Sequence, residues 1–224
     1  MSTDEAYLPY TFYTKDIMDI LETNKNAEEN DIKLYLSPEK CYMQFLSHDY
    51  AVMVEAVLTP LYKNENQEGE VEFEDVSYFE NYQVIQIYTD CVLFDGTIRK
   101  DIKWNQQTKT LTSSLPKNSF LINLPNNVIQ HMDEYMVFEF QWFVEEEELK
   151  IKFGDNFIVN LSTAVAEVED DNVQIQFSTE YFKSILENIS SKSSFFKLYI
   201  QEDFPLCIEI PYKNPCYYFL APSS

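Results

Sequence analysis

Glycine is almost missing from this sequence: the 224 residues include three, Gly69, Gly96 and Gly154. Nucleotide-binding loops need clustered glycines, because the backbone must approach the phosphate groups closely. The wide spacing of these three excludes both the dinucleotide-binding loop and the Walker-type loop. We therefore predict no nucleotide cofactor.

Basic residues are also scarce. Lys and Arg together number 16 against 38 Asp and Glu, which gives a formal net charge of −22, and Arg99 is the only arginine. A negative charge of this size excludes a uniformly basic surface for nucleic acid or anionic membranes. The two histidines, His48 and His131, have no nucleophile or carboxylate partner at an informative spacing. We therefore predict that the protein is not an enzyme.

The four cysteines, Cys41, Cys91, Cys207 and Cys216, form no C-x-x-C pair. Zinc sites usually contain such pairs, so we expect buried thiols in a reducing compartment. The acidic run 145–148 is interpreted as a hairpin turn, because it lacks the glycine turn and ligand spacing of a calcium loop. The sequence therefore predicts neither a metal nor a cofactor.

Long apolar segments are missing as well. The first ten residues, MSTDEAYLPY, contain no basic region followed by an apolar stretch, and the longest apolar run, 51–58, is interrupted by Glu55. Signal peptides and membrane spans require longer uninterrupted stretches. The expectation is a soluble protein of the cytosol or nucleus.

What the sequence does contain is a pattern of β-strands. Hydrophobic residues make up 45% of the chain and aromatic residues 16%, which is typical of a folded protein. Apolar and polar residues alternate in several segments, as they do in antiparallel strands with one buried face. The predicted strands are 7–12, 32–36, 41–46, 50–58, 84–88, 98–104, 119–124, four strands across 137–177, 195–200, 206–210 and 217–220.

Three segments have helical periodicity instead. In 179–189, apolar residues recur at helical spacing from Phe182 to Ile189, with Ser178 as a candidate N-cap. The other two helices are predicted over 14–23 behind Thr14 and over 126–136 behind Asn126. A weaker segment, 75–82, is compatible with a helix, a loop or an edge strand.

The order of these elements suggests two copies of a helix-on-sheet unit. Between them, residues 105–116 are polar and poor in aromatic side chains, as in an exposed connector. We predict an α+β protein with an N-terminal domain 1–104, a connector 105–117 and a C-terminal domain 118–224.

Three C-terminal segments resemble the end of the proliferating cell nuclear antigen (PCNA) family of sliding clamps: 177–186 (FSTEYFKSIL), 204–210 (FPLCIEI) and, most specifically, 217–222 (YYFLAP). Residues 119–125 (SFLINLP) are similar to the start of the family's second domain, and 43–58 to a strand-loop-strand of its first. The resemblance implies the DNA-clamp fold, in which two similar domains have antiparallel sheets outside and short helices inside. It also implies a ring of subunits around duplex DNA.

The resemblance further implies a groove beside the connector, where partner proteins insert a hydrophobic plug and two aromatic side chains. The residues it places there are Phe45, Asp49, Tyr50, Val52, Leu111, Leu115, Pro116, Pro205, Phe219, Leu220, Ala221 and Pro222. Taken without the resemblance, core packing is the commoner role for residues of these types.

Ring closure in this family pairs an edge strand of one subunit with an edge strand of the next. The corresponding segments are 98–104 and 157–163, with Ile98, Lys100, Ile102, Trp104, Phe157, Val159 and Leu161 as interface candidates. Both segments are equally compatible with strands that pair only within their own sheets.

A ring around DNA needs cations on the helices that line its hole, because non-specific duplex binding is mostly phosphate neutralisation. The DNA-facing candidates are Lys15, His131, Lys183 and Lys192. Each candidate helix nevertheless contains more acidic than basic residues. This departure from the family pattern is compatible with a mixed ring, in which other subunits supply the positive charge.

The sequence therefore predicts a sliding clamp that acts as a processivity factor in DNA replication and repair. The implied partners are duplex DNA, DNA polymerases and other proteins with a short clamp-binding motif, and a clamp loader, with a homotrimer favoured and a heterotrimer open. The implied location is the nucleus or a viral replication site. Two alternatives stay open: a subunit of a heterotrimeric checkpoint-type clamp, and a clamp-like interaction or transcription scaffold that does not encircle DNA.

Overall fold

A computed structural model gives the fold of the protein. The structure describes residues 9–24, 32–46, 52–74, 76–88, 90–99, 103–105, 110–124, 126–161, 163–167, 172–190, 195–210 and 214–223. The chain forms two compact units. Unit 1 consists of Met1–His48 and Val54–Ser113, and unit 2 of Asp49–Met53 and Ser114–Ser224.

Unit 1 contains two antiparallel sheets. One has the strand order β1-β6-β7-β8, and five further strands follow the order β4-β3-β2-β5-β9. The elements are β1 (Tyr10–Tyr13), α1 (Thr14–Thr23), β2 (Ile32–Leu36), β3 (Cys41–Leu46), β4 (Val52–Leu58), β5 (Gly69–Phe73), α2 (Ser77–Glu80), β6 (Val84–Ile87), β7 (Val92–Phe94), β8 (Thr97–Arg99), β9 (Lys103–Asn105) and a 3₁₀ turn (Leu111–Ser114).

Unit 2 repeats this plan. Its strands follow the orders β13-β12-β11-β15 and β14-β10-β16-β17-β18. The elements are β10 (Ser119–Ile122), α3 (Asn126–His131), β11 (Val137–Phe143), β12 (Glu148–Phe153), β13 (Phe157–Leu161), β14 (Thr163–Glu167), β15 (Val173–Ser178), α4 (Thr179–Ser190), β16 (Phe196–Tyr199), β17 (Leu206–Ile210) and β18 (Cys216–Leu220). Mostly antiparallel strands with few short helices confirm the predicted α+β class.

Aromatic side chains build the core of each unit. In unit 2, Phe182 of α4 packs on Phe138 of β11 with ring centroids 4.8 Å apart. In unit 1, Phe79 of α2 meets Phe73 of β5 edge-on at 4.9 Å. The two strand residues, Phe138 and Phe73, lie next to half-buried glutamates, so in each strand the aromatic side chain faces the core and the acidic one does not.

The first residue of the main helix makes the same contacts in both units. In unit 1, Thr14 opens α1: its N–H donates to Gln83 O at 3.0 Å and its hydroxyl to Tyr82 O. In unit 2, Thr179 opens α4, with its N–H donating to Met136 O at 3.0 Å and its hydroxyl to Tyr135 O. The helix start is thus held to the residues that precede the neighbouring strand, β6 or β11.

Several predicted elements are confirmed and others are corrected. Helix α1 spans the predicted 14–23, and α4 extends one residue beyond the predicted 179–189. Helix α3, predicted over 126–136, ends at His131, because the N–H groups of Asp133 and Glu134 donate to carbonyls three residues back and form turns. The weak segment 75–82 contains the four-residue helix α2.

Three predictions of local structure were wrong in detail. Thr14 is not the N-cap, because it is the first residue of α1 and Tyr13 occupies the cap position. The predicted strand 98–104 is split: β8 pairs with β7, whereas β9 pairs with β5. The stretch 137–177 holds five strands, since β14 leaves the sheet of β13 and pairs with β10.

Candidate functional site

The residues predicted to line a partner groove differ widely in exposure. Asp49 and Tyr50 lie outside the described residues. In unit 1, Phe45 is buried and Leu111 is half-buried. In unit 2, Leu115 and Pro205 are half-buried, Ala221 and Pro222 are exposed, and the buried members are Val52, Pro116, Phe219 and Leu220.

The two aromatic candidates that the structure describes, Phe45 and Phe219, are too deeply buried to contact a partner. Phe45 is 1% exposed and Phe219 is 2% exposed. Phe219 packs edge-on against Phe204, with centroids 6.4 Å apart. Both side chains belong to the core of their units, so the accessible candidates are Leu111, Leu115, Pro205, Ala221 and Pro222.

The 3₁₀ turn Leu111–Ser114, which falls within the predicted connector, is bound by a buried carboxylate of unit 1. Glu55 of β4 is 0% exposed, and it accepts hydrogen bonds from the backbone N–H of Leu111 at 2.9 Å and of Thr112 at 3.0 Å. Gln44 Nε2 donates to the same carboxylate at 2.9 Å. These donors satisfy a charge that would otherwise be costly to bury.

The 3₁₀ turn also has local support. The N–H of Ser113 donates to Thr110 O at 3.2 Å, and the Ser113 hydroxyl donates to the same oxygen at 2.6 Å. Leu111 therefore sits in a defined turn, within the segment that sequence composition indicated as a connector.

The four DNA-facing candidates have different surroundings. Lys15 is exposed on α1, next to the exposed Asp16. Lys183 of α4 donates to the Asp133 carboxylate, and this hydrogen bond raises the pKa of Lys183. Lys192 lies outside the described residues. Of the two lysines whose positions the structure gives, one is thus in an ion pair.

His131, the fourth candidate, contacts a predicted interface residue. Its ring contacts the Phe157 ring with centroids 3.8 Å apart and planes tilted by 45°, and its Nδ1 lies 3.2 Å from Glu134 Oε2. The ring contact joins the end of α3 to β13. We therefore describe His131 as a packing residue of unit 2.

The interface candidates lie at or near sheet edges. Strand β8 ends one sheet of unit 1 and exposes 57% of Ile98. Strand β13 ends one sheet of unit 2, where Phe157 and Val159 are half-buried and Leu161 is buried. Lys100 and Ile102 lie outside the described residues, as does the side chain of Trp104, whose backbone pairs with Val71. Both edges offer backbone groups for strand addition.

Sequence reasoning missed two residues that shape these surfaces. In the sequence, Glu55 is noted only as an acidic residue that interrupts the apolar run 51–58. A charge within an apolar strand is a signal that could have predicted its structural role. Asp133 gave no signal, because its partner Lys183 lies 50 residues away.

Neither a membrane-spanning helix nor a metal cluster is found in the part of the chain that the structure describes. Among those residues, no helix is long and apolar enough to cross a membrane. No group of three or more described His, Cys, Asp or Glu side chains is arranged to hold a metal ion.

Comparison with known proteins finds a match in fold but none to a family model or a curated sequence. No protein-family model matches the chain, and no curated protein matches it in sequence. Solved structures do match, in 357 chains. One is a chain in the crystal structure of a PCNA2–PCNA3 complex from Sulfolobus tokodaii, with a TM-score of 0.53 and 13% identity over 96% of this chain and 99% of that chain. The protein therefore has a PCNA-like clamp fold, as its sequence resemblance predicted.

Proposed function

We propose that the protein is a sliding clamp: a ring subunit that encircles duplex DNA and tethers polymerases and other replication or repair proteins to it. The observation that carries this proposal is the match of nearly the whole chain, across both units, to a clamp structure. The proposal assigns the protein no catalytic step. It places the protein in the nucleus or at a viral replication site.

The proposed mechanism is topological. A closed ring stays on DNA without base contacts, and a docked partner gains a high effective concentration at the template. The open edges β8 and β13 are the proposed ring-closing strands, because each is the last strand of its sheet. Backbone pairing between such edges joins subunits without requiring a large apolar surface.

Partner docking is the second part of the proposal. We assign it to the accessible candidates Leu111 in unit 1 and Leu115, Pro205, Ala221 and Pro222 in unit 2. Accessible apolar side chains of this kind bind aliphatic and aromatic anchors, which gain most from burial. Proteins with a short hydrophobic motif are the proposed partners, together with a loader that opens the ring.

A mixed ring is the second candidate. It is favoured by the net charge of −22 and by the pairing of Lys183 with Asp133, which leaves less positive charge for phosphate contact. The Sulfolobus structure is itself a complex of two different clamp chains. In this version other subunits would supply the positive lining, as in a checkpoint-type heterotrimer.

The deciding experiment measures solution mass by light scattering and then retention on DNA circles. A homotrimeric clamp is expected to have three times the chain mass of 26.5 kDa and, once loaded, to survive a high-salt wash on circular DNA. Cutting the circle should release it, because a ring slides off a free end.

The other outcomes select among the alternatives. A monomer would favour the mixed ring. A trimer that never persists on circles would favour the scaffold that does not encircle DNA and would overturn the proposed function.

A further inference from the structure

Glu55 is the one acidic residue in the apolar strand β4, whose sequence is VMVEAVL. It is fully buried at 0% exposure. A carboxylate in such a position is conspicuous, because burying an ion costs free energy unless polar groups replace its water shell. The groups that contact Glu55 therefore indicate its structural role.

Its partners come mainly from a distant part of the chain. Glu55 Oε1 accepts from Leu111 N and Oε2 accepts from Thr112 N, across separations of 56 and 57 residues. These two N–H groups lie at the start of the 3₁₀ turn Leu111–Ser114, where side chains commonly accept hydrogen bonds from the first backbone N–H groups. Glu55 thus caps a turn that it is not adjacent to in sequence.

A second contact orients the carboxylate. Gln44 Nε2 donates to Glu55 Oε1 at 2.9 Å, and Gln44 Oε1 accepts from the Tyr35 hydroxyl at 3.2 Å. The amide is therefore held with its nitrogen towards Glu55. One residue from each of β2, β3 and β4 thus contributes to a chain of hydrogen bonds that ends at the start of the turn.

We propose that Glu55 is a positioning residue: it fixes the backbone at Leu111 and Thr112 and thereby pre-organises Leu111, the docking candidate of unit 1, for partner peptides. This inference rests on the proposed docking function for its effect on binding, but not for its effect on the connector. Pre-organisation strengthens binding because an ordered surface loses less entropy when the partner arrives.

The test begins with Glu55→Gln, which is nearly isosteric and leaves no cavity. One amide oxygen can still accept hydrogen bonds, whereas the new NH₂ group faces a connector N–H. We expect the exchange rates of the Leu111 and Thr112 amide protons, measured by NMR, to rise about tenfold, as the loss of a charge-assisted bond implies. Amides in the β2–β3 ladder should keep their rates.

Glu80→Gln is the matched control. Glu80 is an exposed acid at the end of α2 in the same unit, so this variant removes the same charge without touching the connector. Unchanged exchange at Leu111 and Thr112 in Glu55→Gln would overturn the proposal. If Glu55→Gln lowers the unfolding temperature, exchange is compared at equal global stability, so that a local effect at the two amides is still resolved.

The effect on docking is measured in the same proteins with a synthetic peptide that carries one aliphatic and two adjacent aromatic residues. The proposal expects the dissociation constant to rise about tenfold in Glu55→Gln and to stay unchanged in Glu80→Gln. Faster exchange with unchanged affinity would overturn the positioning role. Failure of the unaltered protein to bind the peptide would contradict the docking function instead, and the anchoring of the connector is then decided by the exchange rates.

Discussion

Lys183 in α4 donates a hydrogen bond to the carboxylate of Asp133, which follows α3 in sequence. The bond raises the pKa of Lys183 and compensates part of its charge. A lysine in an ion pair is a weaker phosphate ligand, because binding DNA would first require giving up the carboxylate. The pair therefore bears directly on how this chain would hold DNA.

Asp133→Asn should strengthen salt-sensitive binding to duplex DNA. Removing the carboxylate charge makes Lys183 available for one more phosphate contact, which steepens the slope of log affinity against log salt by about 0.9. Affinity measured over a range of salt concentrations gives this slope. Asp155→Asn, which removes an exposed acid from the β12–β13 turn, is the control. An equal gain in both variants would indicate a net-charge effect without a role for Lys183.

Charge at the sheet edges should prevent ring closure. Ile98 in β8 and Ile158 in β13 are 57% and 51% exposed, and lysine at either position opposes strand addition by desolvation and repulsion. We expect Ile98→Lys or Ile158→Lys to reduce the mass in light scattering to that of one chain. Leu121→Lys is the control, because Leu121 is 38% exposed but its strand β10 has neighbours on both sides. Dissociation by all three variants would argue against these edges.

Leu115→Ala should weaken docking of the motif peptide without unfolding the protein. Leu115 is half-buried, so truncation removes contact area while costing little packing. Phe219→Ala is expected to lower the free energy of unfolding by about 3–5 kcal/mol, since a core ring leaves a cavity. Peptide titration and denaturant unfolding separate the two effects. Leu61→Ala, at a residue 42% exposed in unit 1, should change neither, and unaltered affinity in Leu115→Ala would exclude Leu115 from the docking surface.

Gly154→Ala should destabilise unit 2 more than Gly96→Ala destabilises unit 1. Both glycines have positive φ, +55° and +81°, so alanine costs about 1–2 kcal/mol of backbone strain at each. At Gly154 a Cβ atom would also lie 2.9 Å from Cε1 of Tyr135, whereas at Gly96 nothing lies within 4 Å. Denaturant unfolding of both variants measures the difference. Equal losses of unfolding free energy in the two variants would mean that the Tyr135 side chain moves aside without an energetic penalty.

Alkaline pH should weaken the fold through Cys41. Burial raises the pKa of this thiol from 9.0 to about 11. Above pH 9 the unfolded chain releases the proton first, so the free energy of unfolding decreases until pH passes the folded value. Denaturation at several pH values should show a smaller decrease in Cys41→Ala. Some decrease should remain in that variant, because burial also raises the pKa of Tyr10, Tyr35 and Tyr199. Identical pH profiles would show that Cys41 does not contribute.

The elements that sequence predicted best are those with strong local periodicity. Helices α1 and α4 lie where apolar residues recur at helical spacing, and strands such as β3 and β12 alternate buried and half-buried residues. The less accurate predictions depend on distant partners. Strand 98–104 is divided because its two ends pair with different sheets. The sequence resemblance assigns Phe219 to the partner groove, but its side chain lies in the core.

The amino-acid sequence alone already defined a folded, strand-rich, strongly acidic protein, located two of its helices and carried the C-terminal resemblance to sliding clamps. These properties follow from composition and short-range periodicity, which need no knowledge of the fold. Tertiary structure decided which distant residues meet. It joined Glu55 to the connector, Lys183 to Asp133 and His131 to Phe157. Those contacts depend on strand order and register, and neither is contained in a local pattern.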